Sequence, residues 1–371
     1  RYGVRGRLLH RKNEAAMKQV LQDKTQAELA EVVARAGEKS FRARQLGEGL
    51  MHGKRISEIP VSADLRARLL EEYEDEPVRI ERVFTAKDGT QKFLFALADG
   101  NLIEGVLMKY KYGNTQCVST QVGCRMGCKF CASTLGGLVR NLTAGEILGQ
   151  ILVVNRLLGG GLKDKRAVTN VVLMGSGEPF DNYDNVVRFL RNVTDGDGIG
   201  ISARNISLST CGLADRMRTF AEEGIPLNLT VSLHAVTDAE RARTMPVANA
   251  FSIAEILDAC AFYFQKTGRR YIFEYSLIAG ENADLAHADA LAQLLRGRPC
   301  HVNLIRLNAV KERSLRAADE ANAQAFLKRL LSHGISATLR RSMGSDIGGA
   351  CGQLRASYLE NGRGNEAEPM S

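Results

Sequence analysis

Cys124, Cys128 and Cys131 lie in the run Gly-Cys-Arg-Met-Gly-Cys-Lys-Phe-Cys, a C-x3-C-x2-C spacing. Thiolates placed this closely are metal ligands in the making. An iron-sulfur cube is normally held by four thiolates, so a three-thiolate set leaves one iron open to a substrate or cofactor. A structural zinc site is the alternative, but it wants four ligands in paired clusters. No second Cys-x-x-Cys or His-x3-His lies elsewhere; the nearest spare thiol is Cys117, and His301 and His333 are remote. Unrelated buried thiols are the remaining alternative.

The chain has 371 residues, 44% of them apolar, enough for one large domain and a small one. Fifty Lys and Arg against 42 Asp and Glu leave a net charge of +8, which favours a polyanionic partner, with nucleic acid the natural candidate. Eight cysteines in a chain this long are not a small disulfide framework and fit a reducing compartment, so a cytoplasmic protein is expected. No apolar run approaches the roughly 20 residues of a membrane span. The start, with Arg1, Arg5 and Arg7, lacks the apolar centre of a signal peptide, and its missing initiator Met is the mark of a fragment or trimmed chain.

Period and punctuation give the elements that must position these thiols. Residues 23–73 read as three short helices, the first opened by the capping box Thr25-Gln26-Ala27-Glu28 and ended at Gly37, the second over Phe41 to Met51, the third over Ala63 to Tyr73. Arg42, Arg44, Arg55, Arg66 and Arg68 make this a basic module, whether for a partner or as a solvated face. Alternating runs at Arg79 to Ala86, Gln91 to Leu97 and Leu102 to Lys109, separated by Asp-Gly turns, predict a three-stranded meander. From Asn114 onward strands and helices alternate as in a βα barrel, the first helix opening on the capping box Thr143-Ala144-Gly145-Glu146. The organisation expected is a helical module over 1–78, a meander over 79–110, an α/β core over 111–358 and a disordered tail over 359–371. In parallel barrels the reactive groups collect where strands end. Here the cysteine run, Gly175-Ser176-Gly177-Glu178-Pro179, Ser209-Thr210-Cys211-Gly212 and Ser232-Leu233-His234 follow successive strands.

With these residues laid out, the chain resembles the radical S-adenosylmethionine superfamily, and within it the RlmN family. The likeness runs from about Ser40 to Tyr358 and is carried by Cys117-Val118-Ser119-Thr120-Gln121-Val122-Gly123-Cys124, Arg140-Asn141-Leu142-Thr143, Gly177-Glu178-Pro179, Ser232-Leu233-His234, Val302-Asn303-Leu304-Ile305 and Ala350-Cys351-Gly352-Gln353-Leu354. Ser176, Phe180 and Arg306-Leu307 depart from the commonest form of the pattern. The resemblance implies a partial (βα)6 barrel with an N-terminal helix-hairpin-helix-like domain. It also implies a 4Fe-4S cluster on Cys124, Cys128 and Cys131. Two molecules of S-adenosylmethionine would be used per turnover, held by Gly177, Glu178, Ser209, Ser232, Leu233, His234 and Asn308.

The implied activity is methylation of adenosine C2 in 23S rRNA and in tRNA beside the anticodon. That carbon is electrophilic, so ordinary transfer to a nucleophile fails and a radical route is required. By the resemblance, Cys351 takes the methyl group as its thiolate, and Cys117 resolves the protein–RNA bond through a transient disulfide. Glu104 removes the C2 proton. The implied partners are the two RNAs and an electron donor such as flavodoxin or ferredoxin; a monomer with no membrane association is expected. Cys211, Cys260 and Cys300 are assigned to packing. Two alternatives stay open at this point: a related methyltransferase acting on C8 of the same rRNA adenosine, and a non-catalytic RNA-binding iron-sulfur protein.

Overall fold

The computed structural model describes residues 18–354. Arg1, Arg5, Arg7 and the expected tail lie outside the described residues. Three helices open the described chain, α1 (Gln26–Arg35), α2 (Phe41–Met51) and α3 (Ala63–Glu72). The expected capping box at α1 is formed, with Thr25 Oγ1 accepting from Glu28 N and Glu28 accepting from Thr25 N. The antiparallel meander follows as β1 (Val78–Thr85), β2 (Gln91–Leu97) and β3 (Leu102–Tyr110).

The remaining elements build the barrel. They are β4 (Gly113–Cys117), β5 (Gln121–Gly123), β6 (Leu138–Asn141), α4 (Ala144–Leu157), β7 (Val168–Leu173), α5 (Tyr183–Thr194), β8 (Ile206–Thr210), α6 (Ala214–Glu222), β9 (Asn228–Ser232), α7 (Asp238–Thr244), α8 (Ile253–Thr267), β10 (Tyr271–Leu277), α9 (Leu285–Leu295), β11 (Cys300–Arg306), α10 (Glu320–Ser332) and β12 (Ala337–Leu339). The sheet order is β1-β2-β3-β4-β7-β8-β9-β10-β11-β12, parallel from β4 to β12. Six strand-helix units and a short closing strand make the partial (βα)6 barrel, with the meander added to its β4 edge.

Two features had no counterpart in the sequence reading. The first barrel strand ends at Cys117, and Gln121 to Gly123 leave the sheet to pair with β6 as a separate hairpin. The cysteine run is the loop of that hairpin. Helix α7 was also unforeseen, its apolar positions being too few to show a period.

The main hydrophobic core of the described residues joins Leu46 and Leu50 of α2 to Ile147 and Ile151 of α4 and Phe189 of α5. Burial on this scale, at roughly 25 cal/mol per Å² of apolar surface, is what holds the helices on the sheet. Gly145, the second residue of α4, lets the chain before α1 approach closely, since a Cβ there would stand 2.5 Å from Val20 Cγ1 and 2.8 Å from Asp23 N. Asp23 accepts a hydrogen bond from Gly145 N at the same point. A bidentate contact from Arg156 to Glu58 and the Arg188 Nη1 shared between both oxygens of Glu28 tie the helical module to the barrel helices.

Candidate radical-chemistry site

Cys124, Cys128 and Cys131 line a cavity of about 150 Å³ at the carboxyl ends of the barrel strands. Its loop is held from within: Cys124 N donates to Gly137 O at 2.9 Å, and Thr134 Oγ1 donates to the carbonyls of Cys128 (3.1 Å) and Cys131 (3.0 Å). Arg313 steadies the loop by donating to Thr134 Oγ1. Burial raises all three thiols, that of Cys124 to about 12, so ligation must displace protons. Among the described residues no three His, Cys, Asp or Glu side chains close on a point that could hold a single ion. Three thiols on one loop, all bordering one cavity, can take three corners of a cube and leave the fourth iron open.

The same cavity is bordered by all but one of the predicted contacts to S-adenosylmethionine. Gly177, Glu178, Ser209, Ser232, His234 and Asn308 all border this cavity. Gly177 is held at φ 109, and a Cβ on it would fall 2.7 Å from Gln121 Cβ and 2.8 Å from Gln121 N, so no other residue fits this turn. Glu178 is buried, accepts from Cys211 N at 2.7 Å and Phe180 N at 3.1 Å, and donates its own N–H to Gln121 Oε1. Burial raises its carboxyl above the ordinary range despite those hydrogen bonds. A carboxylate in this setting is poised for a cationic partner.

His234 sits in the left-handed region at φ 57, turning the chain just after β9. Its Nδ1 accepts from Ser276 N at 2.9 Å, which places the neutral ring's proton on Nε2. Burial depresses its pKa to about 3, with a smaller contribution from Arg241, so the ring stays neutral. Phe130 of the cysteine loop meets it edge-on at 4.8 Å. Leu233 does not border the cavity; its side chain is in the core and its N–H donates to Glu274 O.

Cys351 borders this cavity and also a second one of about 40 Å³ that it shares with Cys117. Cys351 is open to solvent through the cavities yet crowded by neighbours. That enclosure raises its thiol while the Arg340 guanidinium pulls it back down. Cys117, fully enclosed on β4, is pushed to about 12. Asn308, predicted as a contact to the methyl donor, also donates to Cys351 O at 3.0 Å and so anchors the segment carrying that thiol.

Glu104 is buried on β3 and paired with Lys92 at 3.2 Å. It borders neither cavity, but Val106, two residues on and on the same face, lines the one holding Cys117 and Cys351. Its carbonyl accepts from Ser119 Oγ, which accepts in turn from Ser176 N in the Gly-Ser-Gly-Glu-Pro turn. The five arginines of the helical module are all engaged internally, Arg66 and Arg68 on backbone carbonyls and the other three with neighbouring side chains.

Sequence reasoning missed three supporting residues. Arg241, completely buried, spreads its guanidinium over the carbonyls of Cys211, Ser232 and Leu233 and so pins the ends of β8 and β9. Asn282 bridges the carbonyls of His234 and Ser276, each at 2.8 Å. Arg340 pairs with Glu274 at 2.6 Å inside the barrel. No local pattern marks them, because each also reaches a partner 30 or more positions away.

The comparisons with known proteins agree with this geometry. Residues 118–291 match the radical SAM superfamily. A probable dual-specificity RNA methyltransferase RlmN of Lachnoclostridium phytofermentans is 50% identical, over 87% of this chain and 90% of its own length. Its namesake in Clostridium perfringens is 49% identical over 93% of this chain and 99% of its own. The chain belongs to the RlmN family. It is accordingly a radical S-adenosylmethionine enzyme that uses a 4Fe-4S cluster. A solved radical SAM methyltransferase from Sphaerobacter thermophilus is 41% identical and superposes with a TM-score of 0.87, covering 91% of this chain and 99% of that one.

Proposed function

We propose that this RlmN-family protein methylates C2 of adenosine in 23S rRNA and in tRNA beside the anticodon, with Cys351 as carbon carrier and Cys117 as the resolving thiol. The observation that carries this reading is the position of Cys351, which borders the cluster cavity on one side and shares a small cavity with Cys117 on the other. When bound, the cluster and S-adenosylmethionine supply a methyl group and the means of removing a hydrogen atom from it.

This chain's own residues do the rest. Cys351 takes the carbon as a thiolate, the only form of cysteine that is a good nucleophile, and Arg340 favours that form. Cys117, held as a neutral thiol by burial, does not compete for the methyl group. Once the carbon is bonded to adenine, Glu104 accepts the C2 proton. As that proton leaves, the adduct's unpaired electron passes to an external acceptor. Cys117 then bonds to the Cys351 sulfur, the carbon–sulfur bond breaks with its electron pair going to the carbon, the Cys117 proton completes the methyl group, and the disulfide left behind is reduced by an external thiol or electron carrier. Gly177, Glu178 and His234 seat the methyl donor, and a donor such as flavodoxin or ferredoxin provides the electrons. The expected setting is cytoplasmic and monomeric; no described helix is long and apolar enough to cross a membrane.

The test is anaerobic reconstitution with iron, sulfide, reductant and S-adenosylmethionine, followed by mass spectrometry of digested 23S rRNA and tRNA. 2-Methyladenosine is expected in both. 8-Methyladenosine alone, or no methylated base, overturns the reading.

A further inference from the structure

Below the site the barrel interior opens into a third cavity of about 500 Å³. Its mouth lies at the amino ends of the strands, away from the cluster: Arg204 and Asn205 precede β8, and Asn228 begins β9. On one side of that mouth Tyr110 and Tyr112 stack with ring centroids 4.9 Å apart and planes 7° apart, and Tyr112 is 72% exposed. Arg204, Arg340 and Arg341 line the cavity, and among the described residues no carboxylate does. Arg204 forms no ion pair among those residues, whereas Arg340 pairs with Glu274 and Arg341 acts electrostatically on Asp88. Between these charges the wall is uncharged and polar, with Asn170, Ser207 and Asn303 among its residues.

The three cavities are continuous in their walls. Met174 borders all of them, Cys351 and Asn308 border the upper and middle ones, and Tyr110 and Arg340 border the middle and lower ones. The upper cavity is taken by the cluster and the methyl donor, so a second reactant must come to Cys351 from elsewhere. The lower cavity is the largest of the three and leads there. Met108, Met174 and Met343 wall the passage, and unbranched methionine side chains can rearrange around a flat ring. An exposed tyrosine stack beside arginines, Arg204 without an ion-pair partner among the described residues, is the combination that binds single-stranded nucleic acid, stacking a base and neutralising its phosphates.

We propose that the lower mouth of the barrel, between the Tyr110–Tyr112 stack and Arg204, is the RNA entry port through which an unstacked target base reaches Cys351. The assignment rests on the reading that RNA is the substrate. It makes Tyr112, Arg204 and Arg341 RNA-binding residues, and it sends the base and the methyl donor to Cys351 from opposite ends of the barrel.

Fluorescence anisotropy with the full-length chain and a labelled, unmodified tRNA transcript tests the port without requiring turnover. Tyr112→Ala combined with Arg204→Ala is expected to weaken Kd by about tenfold or more, the scale of one lost base stack. Arg204→Ala alone flattens the slope of log affinity against log salt by about 1. Arg218→Ala removes the same charge from α6, where Arg218 pairs with Asp258, and leaves Kd within twofold. Unchanged melting temperatures establish that the variants are folded. A double-variant Kd within twofold of wild type overturns the port, and if wild type still methylates the transcript, the methyltransferase reading stands. Lost binding in the double variant, with a wild type that binds but never methylates, upholds the port and sinks the methyltransferase reading.

Discussion

The upper cavity is lined by two carboxylates, Glu178 and Glu274, and among the described residues by no lysine or arginine; the lower cavity is lined by three arginines and no carboxylate. Each end thus suits a ligand of opposite charge. S-adenosylmethionine brings a sulfonium and an ammonium group, and RNA brings phosphates. Charges this close, in a partly enclosed interior, act at a lower effective dielectric than they would in water. The Glu274–Arg340 pair lies at the junction, and the Cys351 thiol is under the influence of both ends. One barrel therefore keeps two reactants apart by charge and lets them meet at a single sulfur.

Substitutions at the proposed base, in the upper cavity and outside both should rank in that order. Glu104→Gln keeps the shape of the side chain but removes the proposed base beside the thiol cavity and leaves Lys92 without its ion-pair partner. Methylation is expected to fall by about 10²- to 10⁴-fold, the usual worth of a positioned base, while protein–RNA adduct accumulates on denaturing gels. Equal loss with no adduct would mean that Glu104 only supports the fold.

Glu178→Gln removes charge from the upper cavity alone. Binding of S-adenosylmethionine by equilibrium dialysis should weaken by about tenfold to a hundredfold, the range for losing a charged hydrogen-bond partner. Anisotropy with RNA should not move. A variant that lost both ligands equally would erase the distinction between the two ends.

The smallest effect lies outside both cavities. The Arg156 guanidinium, followed by the Arg55 N–H, holds the Glu58 carboxyl at about 2 against an ordinary 4.5. A depressed carboxylate stabilises the fold above its unfolded pKa, and that contribution drains away as pH falls from about 4.5 toward 2. Both side chains are partly exposed, so the pair contributes only ~0.2–1 kcal/mol. Arg156→Ala should lower the melting temperature slightly at pH 7 and by less near pH 2, where only its hydrogen bond to Gly53 O remains, with ligand affinities at both ends unchanged.

Most of the fold could be read from local pattern. The capping boxes at Thr25 and Thr143 and the Asp-Gly turns of the meander are short-range devices, and the elements they mark stand where expected. The β5–β6 hairpin escaped because three- and four-residue strands carry too few alternations to register. The cysteine run was legible because a metal cluster demands fixed spacing. Cys117 and Cys351 lie 234 positions apart, and only their family context paired them; the small cavity between them is a product of the closed barrel. Arg241 and Arg340 were invisible for the same reason, since an arginine on a distant carbonyl or carboxylate leaves no periodic trace.

The central claim is that chemistry from the two ends meets at the Cys351 sulfur and is released by Cys117. Its most direct test is Cys117→Ala, incubated anaerobically with cluster, reductant, S-adenosylmethionine and RNA, then digested and sequenced by mass spectrometry. The account predicts an adenosine joined through one carbon to Cys351. An adduct on any other cysteine, or free methylated RNA released at the wild-type rate, would contradict it.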